Sequence, residues 1–325
     1  MRRRDFTALV AGAAAWPLTA RAQRPTKVTR IGFLGPASAS SHAVYIEAFR
    51  AGLRDHGYLE GKNIVIEFRW AEGNYDRLHA LAAELVRLNI DVLVTYSNPA
   101  VLAAKQATAT IPIVIAISGD AVGSGLIASL NRPGGNVTGQ TFFNPELNAK
   151  RLEILKEALP QSSRVAVLFN PSNTIARSIL QAMALPAASL KLDLQQFEVR
   201  RSDEFGDAFS GMGAGHVDAL VVIDDPVIIG GVRSIADLAM AQRLPSIGFL
   251  ELAEAGGLMA YGVDFFEMIR HAAVFVDKII KGASPGQLPV EQPIKFKFAI
   301  NLKTAKALGL TIPTTLLAQT DEVIE

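Results

Sequence analysis

Polar side chains follow the predicted strands of this chain, where a parallel sheet presents its carboxyl ends. Ser38 and Ser40 come after the first strand, and Tyr96, Ser97 and Asn98 after the third. Hydroxyl and N–H groups at a helix start suit a carboxylate or phosphate, although serine also caps helices without any ligand. We expect Ser97 and Asn98 to hold a carboxylate, and Tyr96 either stacks on a ligand ring or packs in the core.

Carboxylates follow two other strands. Ser118 and Asp120 come after the fourth strand, and Asp224 and Asp225 after the strand at 219–223. A lone carboxylate at the edge of a cleft can pair with an ammonium group, so Asp120 and Asp225 are the candidates for that role. The alternative is that each aspartate caps a helix.

Two aromatic residues are candidates for a flat apolar slot. Phe142 lies between the two halves of the chain, and Phe249 follows the strand at 244–248. The alternative for each is a place in the hydrophobic core.

Several kinds of chemistry are excluded or left without a motif. The chain contains no Cys, which excludes disulfides, thiolate metal sites and cysteine nucleophiles. The five His are scattered without ligand spacing, so no metal site is predicted. Residues 123–128 mimic the dinucleotide pattern G-x-G-x-x-A, but they follow the fourth strand and not the first, which favours a tight turn. No cofactor and no enzyme activity are predicted.

Strands and helices alternate along the chain, which indicates parallel sheets covered on both faces. Strands are predicted at 28–34, 64–70, 91–95 and 113–117, with a short helix at 125–130. The pattern restarts at 164–170, with a helix at 174–190 that Pro186 kinks or breaks and another at 227–242. The last elements, a helix at 265–281 and a strand at 294–298, are expected to cross back and complete both halves.

The fold class is therefore α/β, with two Rossmann-like lobes whose parallel sheets are joined by a multi-crossover hinge. Lobe 1 is predicted to comprise residues 23–143 and about 262–290. Lobe 2 is predicted to comprise residues 144–261 and about 291–325.

The first residues resemble an export signal. A basic start with a twin-arginine pattern, Arg2 to Phe6, precedes a short apolar run and an A-x-A cleavage site that ends at Ala22. Removing residues 1–22 leaves 28 basic and 30 acidic side chains. That balance gives no basic footprint for nucleic acid. No later apolar run reaches membrane length. We expect a periplasmic protein without stable membrane insertion.

Motifs along most of the chain resemble one transporter family. They include residues 255–262 (AGGLMAYG), 288–293 (LPVEQP) and 301–309 (NLKTAKALG). They are similar to the ABC-transporter substrate-binding proteins of the tryptophan/tyrosine type. The resemblance implies a type I periplasmic-binding fold with a ligand between two lobes, and an ABC permease and its ATPase as partners.

The resemblance also bears on the second half of the site. Asn170, Ser172 and Asn173 follow the strand that matches the first strand. In the tryptophan-binding relatives a Ser/Asn cluster at this place looks like part of the carboxylate grip, which implies that role for Ser172 and Asn173. The relatives often have Asp-Asn where this chain has Asp224-Asp225, and the departure favours an amine contact at Asp225.

Together these features predict the solute-binding component of an ABC importer. It would close on a small molecule, expected to be an aromatic or branched-chain amino acid. The alternatives are a periplasmic oxidoreductase and a ligand sensor that feeds a receptor.

Overall fold

The computed structural model describes residues 28–325. The predicted export signal at 1–22 lies outside these residues. The described chain forms two α/β layers, each built on one sheet. In chain order, the elements of the first layer up to residue 139 are β1 (Thr29–Gly35), α1 (Ala43–Asp55), β2 (Ile64–Trp70), α2 (Leu78–Arg87), β3 (Val92–Tyr96), α3 (Asn98–Ala107), β4 (Ile113–Ile117) and β5 (Val137–Gly139).

The second layer begins with a helix and then alternates strands and helices. Its elements are α4 (Asn144–Ala158), β6 (Arg164–Phe169), α5 (Ala176–Ser189), β7 (Asp193–Glu198), α6 (Phe205–Ala214), β8 (Ala219–Val222), α7 (Pro226–Gly230), α8 (Val232–Ala241), β9 (Ser246–Gly248), α9 (Leu250–Glu254) and β10 (Met259–Gly262). The chain ends with α10 (Phe265–Ile280), β11 (Lys297–Asn301), α11 (Leu302–Leu308), α12 (Thr314–Leu317) and β12 (Glu322–Ile324).

The first sheet is parallel throughout, in the order β2-β1-β3-β4-β5. Its central strands are buried on both faces because helices cover each side; β3 is buried along its whole length. This arrangement confirms the prediction drawn from short apolar runs between helices.

The second sheet has the order β12-β11-β10-β9-β8-β6-β7. Strand β11 runs antiparallel to β10, with Met259 opposite Ile300, so the predicted parallel sheet carries one antiparallel pair at this edge. The reason is the path of the chain, because β11 enters the sheet after a return from the first layer. Strand β12 then pairs parallel to β11.

The chain passes between the layers after β5, after β10 and before β11. Helix α10 leaves the second sheet and packs on α1 and β4 of the first layer. The returning segment runs along β5, where the Glu291 N–H donates to the Gly139 carbonyl and the Thr141 N–H to the Glu291 carbonyl. Several crossings tie the layers together without one flexible linker.

Some predicted elements differ from the structure. Residues 125–130 form turns and bends, not a helix, and Gly125 has a φ of 69°. The predicted helix at 227–242 is two helices separated at Gly231, where a Cβ atom would lie 2.2 Å from the Phe205 ring. Helix α5 continues through Pro186. Helix α4, which begins with Asn144 and Pro145, was not predicted.

No helix within residues 28–325 combines the length and the hydropathy needed to cross a membrane.

The contact between α1 and α10 depends on Gly52. A Cβ atom at this position would lie 2.2 Å from the Arg270 carbonyl oxygen and 2.9 Å from the Ala273 Cβ atom. Backbone atoms cannot move aside without separating the helices, so Gly52→Ala is expected to lower the free energy of unfolding by about 1–3 kcal/mol. Urea denaturation at neutral pH measures the change.

Gly206→Ala in α6 is the matched control, because nothing lies within 4 Å of the added methyl group. Alanine favours a helix over glycine by about 1 kcal/mol, so this variant should be as stable as the wild type or more so. Equal stability of the two variants would contradict the role given to Gly52.

Candidate functional site

A cavity lies between the carboxyl ends of the two sheets. This is the place where open α/β sheets bind ligands. Both layers contribute to its walls. The polar and aromatic lining residues are His42, Tyr45, Tyr96, Ser97, Asn98, Ser118, Phe142, Asn144, Asn173, Asp224, Asp225 and Phe265. Apolar contacts come from Ile117, Ile175, Pro226 and Ile229, and backbone from Gly119.

The structure brings together about half of the residues predicted from the sequence. Those that line the cavity are Tyr96, Ser97, Asn98, Ser118, Phe142, Asn173 and Asp225. The side chains of Asn98 and Ser118 are committed to the protein: the Asn98 Nδ2 group donates to the Gly119 carbonyl and to Ser124 Oγ, and Ser118 Oγ donates to the Gln140 carbonyl.

The other predicted residues lie outside the lining. Ser38 is half-buried and Ser40 is exposed, and their hydroxyl groups hydrogen-bond each other at 3.2 Å. The Asp120 carboxylate accepts the Gly123 N–H within its own turn. Phe249 is completely buried in the core. Asn170 is buried behind the lining, where its Nδ2 group donates to Asp225, and its Oδ1 atom accepts the N–H of the exposed Ser172.

The Asp225 carboxylate is saturated by the protein. Its Oδ1 atom accepts from Asn170 Nδ2 at 3.2 Å and from the Val227 N–H at 2.9 Å. Its Oδ2 atom accepts from the Tyr75 hydroxyl at 2.8 Å and from Asn173 Nδ2 at 3.0 Å. Burial raises the pKa of Asp225, and these donors oppose the rise. A carboxylate has about four acceptor positions, so Asp225 caps α7 and joins the two layers through Tyr75.

The neighbouring Asp224 is held by a buried arginine. Arg151 on α4 is completely buried and donates to both carboxylate oxygens, at 2.6 and 3.0 Å. The same guanidinium group donates to the Tyr261 carbonyl and to Asn148 Oδ1. Such pairing offsets the desolvation of both charges. Asp224 Oδ1 accepts only one hydrogen bond, so it keeps an acceptor position for a ligand.

Four buried side-chain atoms within residues 28–325 lack a hydrogen-bond partner, and all lie at this cavity or its edge. They are His42 Nε2, Tyr96 Oη, Ser97 Oγ and Glu251 Oε2. Buried polar groups without partners are rare in native proteins. Their concentration in one place indicates that a ligand completes the site.

Ser97 stands at the start of α3 with a φ of 70°, and its hydroxyl makes no capping bond. The first N–H groups of a helix are free and favour an anion. Asn144 faces the same part of the cavity, since its side chain would touch a Cβ atom added at Gly119. Its Oδ1 atom accepts from Asn148, and among the described residues its Nδ2 group has no acceptor.

Burial changes the acid–base behaviour of two residues at the cavity edge. It lowers the pKa of His42 to about 4 and raises the pKa of Glu251 to about 7. The Tyr45 hydroxyl, from the first layer, donates to Glu251 Oε1, from the second. His42 is therefore a neutral hydrogen-bonding group at neutral pH.

Sequence reasoning missed His42, Tyr45, Asn144 and Phe265. Asn144 follows a crossover and begins α4, which was not predicted, so no strand-end rule points to it. Phe265 comes shortly after the end of β10, and the rule could have included it. His42 and Tyr45 follow the first strand and lie only a few residues after Ser38 in the sequence. The rule that selected Ser38 from the end of that strand could therefore have included them. Within residues 28–325 no three side chains of metal-ligating type are grouped to hold a metal ion.

Comparisons with known proteins agree with this geometry. A curated relative from Clostridioides difficile, described as a tyrosine-binding protein, is 28% identical over 266 residues, which cover 81% of this chain and 76% of the relative. A solved Vibrio cholerae protein matches with a TM-score of 0.84 and 28% identity, over 91% of this chain and 100% of that one. A Streptococcus pneumonia structure in complex with L-Trp matches with a TM-score of 0.82 and 26% identity, over 91% and 99%.

The solved relatives of this set include type I periplasmic binding proteins, and the two-sheet fold is theirs. The model of the ABC transporter substrate binding protein family matches residues 31–324, nearly the whole described chain. Because this match covers more than half of the chain, the chain belongs to the ABC transporter substrate-binding protein family.

Proposed function

We propose that this chain is the periplasmic solute-binding component of an ABC importer, and that it captures an amino acid with an aromatic or branched side chain. One observation carries the proposal. The cavity presents an open carboxylate position at Asp224 from one layer and an unpartnered hydroxyl at Ser97 from the other. A zwitterion offers an ammonium group and a carboxylate to such a pair.

The carboxylate of the ligand lies at the start of α3. Ser97 Oγ and Asn144 Nδ2 donate to it, and the helix N-terminus adds a favourable field. This set differs from the sequence prediction because the side chains of Asn98 and Asn173 already donate hydrogen bonds to protein partners. Ser172 does not line the cavity.

The ammonium group is assigned to Asp224. Asp225 has no acceptor position left, and the Asp120 carboxylate is turned toward its own loop. Arg151 compensates the charge of Asp224 in the empty state, so the carboxylate is not left alone in a buried place.

The side chain of the ligand fills an apolar slot. Ile117, Phe142 and Phe265 face it from the first layer, and Ile175 and Ile229 from the second. Burial of one large apolar side chain and several charge-assisted hydrogen bonds can supply the roughly 8 kcal/mol that micromolar capture requires. The tyrosine and L-Trp named for two relatives support an aromatic amino acid.

Capture works by closure of two lobes. We assign residues 23–143 with about 262–290 to one lobe and 144–261 with about 291–325 to the other. Tyr75–Asp225 and Tyr45–Glu251 are hydrogen bonds across the cleft. A ligand that touches both lobes favours the closed form by its additional contacts there. The permease, with its ATPase, then binds the surface of the closed form.

Ser97 provides a test that spares the fold. Ser97→Gly removes the unpartnered hydroxyl, and glycine suits the φ of 70°. Hydrogen bonds to charged groups contribute about 1.5–3 kcal/mol, so the Kd for the amino-acid ligand should rise about tenfold or more. Isothermal titration calorimetry measures Kd, and thermal unfolding should show no loss of stability.

Ser172→Ala is the matched control and should bind as the wild type does. If Ser172→Ala weakens binding while Ser97→Gly does not, the carboxylate lies at the second layer and the assignment to Ser97 is wrong.

Closure is tested through Tyr75. Tyr75→Phe removes the bond to Asp225 across the cleft, which should destabilise the closed form and weaken ligand binding by about tenfold. Small-angle X-ray scattering should show a larger radius of gyration without ligand than with it, for wild type and variant alike. An unchanged radius on ligand addition would exclude a closing clamp.

Glu251 should impose a pH dependence on stability. Its pKa rises from the usual 4.5 to about 7 on folding, so between these values the folded protein keeps a proton that the unfolded chain releases. The free energy of unfolding therefore falls as pH increases through this window, by roughly 3 kcal/mol. Glu251→Gln lacks this loss, and its stability relative to wild type should increase by that amount between pH 4.5 and 8.

Denaturant unfolding across this pH range measures the difference. Titration of His42 makes the free energy of unfolding rise with pH between about 4 and 6.5. This contribution is the same in wild type and Glu251→Gln, so it cancels in the difference between them. Glu254→Gln, at the half-exposed neighbour, should show a much smaller change. Parallel pH profiles for wild type and Glu251→Gln would refute the prediction.

A further inference from the structure

A second pocket lies beside the cavity and shares part of its wall. His42 and Tyr45 at the start of α1 line both, and so does Ile229 on α7. Glu251 on α9 lines the second pocket, and the Tyr45 hydroxyl donates to its Oε1 atom. The two layers therefore meet here around two ionisable side chains, His42 and Glu251.

Neither ionisable side chain has a full set of hydrogen-bond partners. Among residues 28–325, His42 Nε2 and Glu251 Oε2 are buried atoms that make no hydrogen bond. His42 is 1% exposed, and the second layer helps to cover it, because a Cβ atom added at Gly230 would lie 3.5 Å from its Cε1 atom. The charged form of either group would lose the solvation that water gives it.

Burial suppresses both charges in this closed arrangement. It lowers the pKa of His42 to about 4. It raises the pKa of Glu251 to about 7, which the nearby Glu254 and Asp224 favour and the Tyr45 hydrogen bond opposes. When the layers separate, water reaches both groups and their pKa values return toward the ordinary 6.5 and 4.5.

The two groups couple closure to pH with opposite signs. Between pH 4 and 6.5 closure removes a proton from His42, so a rising pH favours the closed form. Between pH 4.5 and 7 closure adds a proton to Glu251, so a rising pH favours the open form. Where the two windows overlap, the proton that leaves His42 is balanced by the proton that Glu251 takes up.

Other charged groups face the pair from the elements packed around it. They are Glu254 on α9, Asp224 and Asp225 after β8, Asp264 at the start of α10, Lys297 on β11 and Glu322 on β12. Lys297 is paired with Asp264. Burial also raises the pKa of Asp225, and this contribution is common to the wild type and the variants below. Tyr45 and Tyr96 stay neutral because burial raises their pKa well above 10.

We infer that His42 and Glu251 are a compensating pair that keeps ligand capture nearly constant between mildly acidic and neutral pH. Each group loses its charge when the lobes close, and the opposite signs of the two charges cancel the net exchange of protons. The inference rests on the proposed function and adds its regulation. Removal of either member exposes the uncompensated pH dependence of the other.

Isothermal titration calorimetry tests the pair on the full chain between pH 5.5 and 8. The probe is whichever of L-tyrosine, L-tryptophan and L-leucine binds most tightly. The wild-type Kd should change by less than about threefold. The Kd of Glu251→Gln should fall about tenfold as pH rises, because only His42 remains, and the Kd of His42→Gln should rise about tenfold, because only Glu251 remains. Glu254→Gln is the matched control and should follow the wild type.

The number of protons exchanged on binding gives a second measurement, which needs only one of the two variants to fold. Titrations at pH 5.5 in two buffers of different ionisation enthalpy should show almost no net exchange for the wild type. Glu251→Gln should release about one proton and His42→Gln should take up about one.

Two results would overturn the compensating pair and leave the amino-acid function standing. One is a tenfold change in the wild-type Kd across this pH range. The other is a variant, Glu251→Gln or His42→Gln, whose Kd profile and proton exchange match those of the wild type. If none of the three amino acids binds the wild type at any pH, the proposed function itself is wrong.

Discussion

Two adjacent carboxylates buried at the end of β8 impose the central constraint on this molecule. Neither can be removed from water without partners, and the protein meets the requirement in two different ways. Asp224 takes a guanidinium group from α4, and Asp225 takes amides, a helix N-terminus and a tyrosine from the opposite layer. The first solution leaves an acceptor position open and the second leaves none. This difference, and not the number of charges, decides which aspartate is available to a ligand.

The path of the chain makes these contacts possible. Strand ends of both sheets meet at one gap because the chain crosses between the layers at three places in sequence, after β5, after β10 and before β11. The crossing after β5 leads directly into α4, whose Asn144 lines the gap and whose Arg151 supports Asp224. The same segment thus forms part of the connection and part of the cavity wall, which couples the relative position of the two layers to the shape of the cavity.

Periodicity and strand-end rules predicted the architecture and much of the lining, since burial on both faces and turn position are local properties of sequence. Asp225 shows where such rules stop. Its position after β8 was found, but its role depends on Tyr75, 150 residues earlier, and on two amides of another loop. The number of hydrogen bonds that a carboxylate accepts depends on the tertiary structure, so the local sequence does not predict it. Helix α4 was missed for a related reason: its buried polar side chains, Asn148 and Arg151, remove the apolar stripe that marks a helix.

The pairing of Arg151 with Asp224 also limits how this family member can diverge. Loss of either partner alone leaves the other charge buried and unpaired. This lowers the free energy of unfolding by about 3–5 kcal/mol, which is a large part of the stability of an ordinary domain. Substitutions at positions 151 and 224 should therefore occur together or not at all among descendants of this gene. A lineage that loses the carboxylate at position 224 would keep the arginine only if another carboxylate, or an anion in its place, remained beside it.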